Sequence, residues 1–166
     1  MITLSIVIGN ICSLLAMITD AISSSQKTAK GVLVVQSISQ CIYGIGTLVL
    51  KGYSGAVQNA VSILRNFVAI KQIESKVLEW GLVLMGVVLG IYFNNLGLIG
   101  YLPVVANLQY TLAIFKFKDN ERAIKISFAI CIGLFALFNV AILNLVGACS
   151  NFVVMVATVI MLIKKK

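Results

Sequence analysis

Apolar residues run along this chain in stretches of about twenty, the length a helix needs to cross a bilayer core of roughly 30 Å. Short gaps holding lysine, asparagine or glycine separate them. The pattern predicts seven helices, over residues 2–22, 31–50, 53–70, 77–94, 97–115, 123–143 and 146–163. The runs lack the period-two alternation of strands and are too long for the strands of a membrane barrel. The fold class expected is therefore all-α: a polytopic membrane bundle with short connections.

Charge supports the count. Lys27 and Lys30 follow helix 1, and Lys71 and Lys76 follow helix 3. Lys116, Lys118, Arg122 and Lys125 follow helix 5, and Lys164, Lys165 and Lys166 end the chain. The alternate gaps hold Lys51, then Asn94-Asn95, then Asn144. Seven crossings put every basic cluster on one face, so the positive-inside rule predicts an outer N-terminus and a cytoplasmic C-terminus. If helix 4 did not cross, the clusters would be divided between the two faces. The first lysine follows the first apolar run, the reverse of a secretory signal peptide.

Sliding the chain on itself by 92 positions lays Gly55-Ala56 on Gly147-Ala148, Asn59 on Asn151, Val61 on Val153 and Lys30 on Arg122. Residues 1–72 and 97–166 thus read as two three-helix repeats, and 77–94 as a linker helix that gives both the same orientation. This 3+1+3 layout predicts parallel repeats about an axis along the membrane normal.

Composition closes off other classes. The chain is 60% hydrophobic and 11% charged, with mean hydropathy +1.06, whereas soluble domains carry about 25% charged residues. Its net charge of +8 then belongs to the inner face of a membrane protein, not to nucleic-acid binding. There is no histidine. Cys12, Cys41, Cys131 and Cys149 are dispersed through apolar runs with no C-x-x-C spacing, so no metal site is expected. No phosphate-binding glycine loop and no acid–base pair is present, so neither catalysis nor a cofactor is expected.

The interior polar residues carry the chemistry. Asn10, Ser13, Met17 and Asp20 share a face of helix 1 at helical spacing; Gln36, Gln40, Tyr43 and Thr47 do so on helix 2; Gly55, Asn59, Ser62 and Asn66 on helix 3. Helix 5 carries Pro103, Asn107 and Thr111, helix 6 Ser127, Cys131 and Asn139, and helix 7 Asn151, Met155 and Thr158. One reading makes these stripes the wall of a cavity for a small neutral polar solute, since amides both donate and accept. The candidate cavity residues are Asn59, Asn151, Asn107, Asn139, Gln36, Gln40 and Asn10. The other reading makes them interhelical fastenings. Arg65 lies within helix 3 and either snorkels to the headgroups or pairs with Asp20 as an inner gate or anion site. Gly86-x-x-x-Gly90 permits close approach, so helix 4 clamps one triplet or mediates a homodimer.

The stretches Gly55-Ala56-Val57-Gln58-Asn59-Ala60 through Arg65-Asn66, Leu102-Pro103-Val104-Val105 through Ala113, and Phe138-Asn139 followed by Gly147 resemble the YgjV family of small bacterial inner-membrane proteins. The layout is also similar to SWEET, PQ-loop and PnuC-type carriers. That similarity implies facilitated movement of a sugar, nucleoside or vitamin by alternating access, with Asn59 and Asn151 facing the substrate. It also implies a hinge at Pro103, the chain's one proline; the other helix prolines of SWEET carriers and the Pro-Gln dipeptide are missing. The alternative is a non-transporting accessory, sensor or partner-binding protein with a closed polar core.

Overall fold

The computed structural model describes residues 3–24, 26, 29–73, 75–117 and 120–164, and the account that follows is of these. Lys27, Lys118, Lys165 and Lys166 of the charge pattern lie outside them, as do Glu74 and Asp119. Seven α-helices follow one another: α1 (Leu4–Ser24), α2 (Ala29–Val49), α3 (Tyr53–Ile70), α4 (Lys76–Tyr92), α5 (Tyr101–Lys116), α6 (Glu121–Ala141) and α7 (Leu145–Lys164). There is no strand among the described residues. The observed ends fall within a few residues of those the apolar runs predict, except at α5. There Gly97–Gly100 forms a separate 3-10 turn before the α-helix starts at Tyr101.

Local chemistry sets the helix ends. Ser75 caps α4 by accepting from the Leu78 amide at 3.4 Å, and Asn120 caps α6 by accepting from the Ala123 amide at 3.0 Å. The α2–α3 and α6–α7 connections are Schellman turns, in which a left-handed residue lets two amides bond back to the last helical carbonyls. At the first, Lys51 has φ 59°. Its amide donates to the Leu48 carbonyl and the Gly52 amide to that of Thr47, at 2.9 and 2.8 Å. At the second, Leu143 also has φ 59°. Its amide donates to Val140 and that of Asn144 to Asn139, at 3.1 and 2.8 Å. Every member of one turn lies 92 positions from its counterpart in the other.

Short turns force antiparallel neighbours, so α1–α2, α2–α3, α5–α6 and α6–α7 pack as hairpins. Contacts of α1 with α7 and of α3 with α5 close the two hairpin sets on each other. Helix α4 packs on α3 and α5. The bundle is inside out by the standards of a soluble protein. Leu84, Val88, Leu98, Leu137 and Val153 are exposed, while Ser39, Ser54, Gln58, Asn107 and Asn144 are buried. Leu4–Ile22 and Arg122–Ala141 are long and apolar enough to cross a membrane by length and mean hydropathy, and Leu33–Val49 and Leu145–Ile160 are shorter apolar stretches.

The two turns meet at one end of the bundle. Phe138 of α6, 1% exposed, lies over α3 at Gly52 and Gly55. A Cβ at Gly55 would sit 2.5 Å from the Phe138 ring, and one at Gly52 would sit 3.2 Å from Ile142. Gly55→Val therefore overpacks this contact and is expected to cost about 1–3 kcal/mol, read as a lowered unfolding temperature in detergent. An unchanged temperature would mean that α3 and α6 do not meet there.

Candidate functional site

Some interior polar residues are bonded to other elements and some are not: among the described residues Asn59, Asn151, Gln36 and Gln40 make no side-chain hydrogen bond, and the buried hydroxyls of Ser13 and Ser54 have no partner. Asn10 is fastened. Its amide nitrogen donates to Ile6 of its own helix at 2.8 Å and to the Leu143 carbonyl at 2.9 Å, and its oxygen accepts from the Val146 amide at 2.9 Å. It thus ties α1 to the αL residue of the α6–α7 turn. Asn95 does the same for the other turn, donating to the Lys51 carbonyl at 2.7 Å. Asn139 accepts from Asn144 at 3.1 Å, while the Asn144 oxygen caps the Gly147 amide at 3.1 Å. Among the expected cavity residues, then, Asn10 and Asn139 sit at the turn end and hold it together.

A second group joins α3, α4 and α5. Gln58, 1% exposed, donates to the Gly86 carbonyl at 2.8 Å and accepts from Asn107 at 2.8 Å. The Asn107 oxygen in turn accepts from Arg65 at 3.5 Å. The glycines of α4 make this possible: a Cβ at Gly90 would lie 2.5 Å from the Gln58 amide nitrogen and 2.6 Å from Val104. Gly86 and Gly90 therefore seat α4 on the α3–α5 seam, within the chain. The space beside this network, lined by Gln58, Ser62, Arg65, Asn107 and Thr111 among others, is about 10 Å³, room for about one water. Elsewhere Gln109 and Ser127 bond reciprocally across α5 and α6 at 2.9 and 2.5 Å.

Arg65 and Asp20 are brought to different neighbours. The guanidinium lies 5.5 Å over the Tyr110 ring of α5, with Cys131 of α6 also beside it. Asp20 faces α2, where Ser39 and Tyr43 are its neighbours. No ion pair joins the two, because the α3 and α1 faces that carry them turn toward different helices. Arg65 also points into the bundle and does not snorkel outward. Pro103, expected as a hinge, lies buried in the first turn of α5. A proline there interrupts little of the helical ladder, so it marks the change from 3-10 to α geometry and not a mid-helix bend.

Gln36 and Gln40 are partly buried on α2. Asn59 is buried on α3, with its Cβ 3.6 Å from where a Cβ at Gly44 of α2 would lie. Asn151 is partly buried on α7. Among the described residues, every asparagine makes a side-chain hydrogen bond except these two. Gln58, Tyr110, Gln109, Asn95 and Asn144 were not among the expected site residues. Gln58 could have been found, since Gln58, Ser62 and Arg65 recur at helical spacing beside the Asn59 stripe.

A seven-helix bundle with an apolar exterior and an interior of bonded amides has the build of an integral membrane protein. A family model described as bacterial inner membrane protein, Imp-YgjV, matches residues 7–166. The chain belongs to that family and is a bacterial inner membrane protein. No curated protein and no solved structure matches it significantly.

The bonding pattern separates structural from unfastened amides. Asn10→Ala strands the Leu143 carbonyl and the Val146 amide and is expected to cost about 1–2 kcal/mol. Asn59→Ala is expected to leave the unfolding temperature in detergent nearly unchanged. Equal losses at both positions would contradict the distinction.

Proposed function

We propose that this protein is a facilitator of a small polar solute, built from two same-facing three-helix units, α1–α3 and α5–α7. The solute site lies between Asn59 and Asn151. The observation that carries this reading is the unfastened pair. Asn59 and Asn151, without side-chain partners among the described residues, stand at matching positions on the third helix of each unit. An amide that nothing in the fold uses is free to bind a ligand.

The twin Schellman turns, the Asn10 and Asn95 fastenings on their carbonyls, and the matching α1–α7 and α3–α5 seams support a duplicated unit. Rocking of one unit against the other across the seams is then the alternating-access motion, with α4 carried on the α3–α5 side. The similarity to SWEET-type carriers supports sugars, nucleosides or vitamins as the class to try first, and is an argument from fold layout alone. Every helix crosses the membrane in this reading, with the N-terminus outside and the C-terminus in the cytoplasm.

A second reading is a non-transporting accessory or sensor with a closed polar core. The Gln58–Asn107–Gly86 network and its void of about 10 Å³ favour it, since a core so tightly bonded needs no solute. Uptake into proteoliposomes across a panel of sugars, nucleosides and vitamins separates the two. The carrier reading expects flux for at least one compound. It also expects a loss of about tenfold or more in Asn59→Ala and Asn151→Ala, the worth of one or two hydrogen bonds. Absence of flux across the panel from well-folded protein would favour the closed core.

A further inference from the structure

Among the described residues Arg65 has no counter-ion. Its guanidinium carries five N–H donors, and the structure gives it one acceptor, the Asn107 oxygen at 3.5 Å, together with the face of Tyr110 at 5.5 Å. Among the described residues no carboxylate pairs with it. Asp20, the acid expected there, lies against Ser39 and Tyr43 instead. Bilayer-embedded arginines ordinarily escape to the headgroups or pair with an acid, and this one does neither: it is turned inward among α3, α5 and α6. Ser62 and Thr111 line the same void and add hydroxyl donors.

We propose that Arg65, with Ser62, Asn107 and Thr111, forms a binding site for an oxyanion, the carboxylate or phosphate group of the transported solute. Arginine suits either group, because its planar fork presents parallel donors to two oxygens. In the packed arrangement the void holds at most a water, so the anion enters when the α3–α5 seam widens. The naming of the ligand as a solute rests on the carrier reading; the oxyanion site itself does not.

The test is the unfolding temperature of the detergent-solubilised full chain, with sodium acetate or sodium phosphate titrated into a fixed chloride background. The wild type is expected to gain stability with either salt, Arg65→Lys to respond at about tenfold higher concentration, as one lost bidentate contact implies, and Arg65→Gln to show no response. Ser62→Asp supplies a carboxylate on the same face. It is expected to raise the starting temperature and abolish the response, so the proposal stays testable if Arg65→Gln does not fold. No rise with either salt, or an equal rise in Arg65→Gln, would overturn the site. A rise that appears with phosphatidylglycerol but not with soluble anions would overturn the solute in favour of a lipid headgroup. Because binding is read without flux, anion binding in a protein that moves nothing would sink the carrier reading and leave this site standing.

Discussion

Hydrocarbon offers no hydrogen bonds, so every backbone group at membrane depth must find its partner within the protein. Helices meet that demand along their length and fail it at their ends. The chain ends α2, α3 and α6 with the same turn, at Lys51, Gln72 and Leu143, and at two of the three it adds a further bond. At Lys51 and at Leu143 the backbone turns through a left-handed residue, two amides fold back onto the preceding helix, and the turn carbonyl is taken up by an asparagine from another element. These turns fix where α3 and α7 begin. They set the faces of those helices, and hence the placement of Asn59 and Asn151.

Much of the fold was legible along the chain. Helix extents follow from the apolar runs, because a helix in lipid is as long as the bilayer is thick. The α3 limits, Tyr53–Ile70, coincide with those expected from the run alone. The register of 92, read from Gly55-Ala56 and Asn59, also relates the two Schellman turns, although lysine and leucine give no hint of a left-handed conformation that glycine or asparagine ordinarily signals. The start of α5 was less legible. An apolar run cannot distinguish a 3-10 turn from the α-helix it leads into, so Pro103 was placed deeper in a helix than it lies.

Side-chain partnership was the least legible. Helical spacing states which residues share a face but not which helix that face meets. Arg65 and Asp20 stand at similar heights by sequence, as an ion pair would; the structure turns one toward Tyr110 and the other toward Ser39. The same limit hid Gln58, whose partners on α4 and α5 are 28 and 49 residues away. A stripe of amides is ambiguous between fastening and binding until each amide's partners are known. Here the stripes divide: Asn10, Asn107 and Asn139 are bonded, and Asn59 and Asn151 are not.

The central claim is that the two halves face the same way, so that the turns at Lys51 and Leu143 share one side of the membrane. Single cysteines at positions 51, 143, 71 and 117, introduced into a chain lacking its four native cysteines and labelled in intact cells with a membrane-impermeant reagent, test this directly. The account predicts that 51 and 143 react alike while 71 and 117 react only in inverted vesicles. Labelling of 51 and 143 from opposite sides would contradict it.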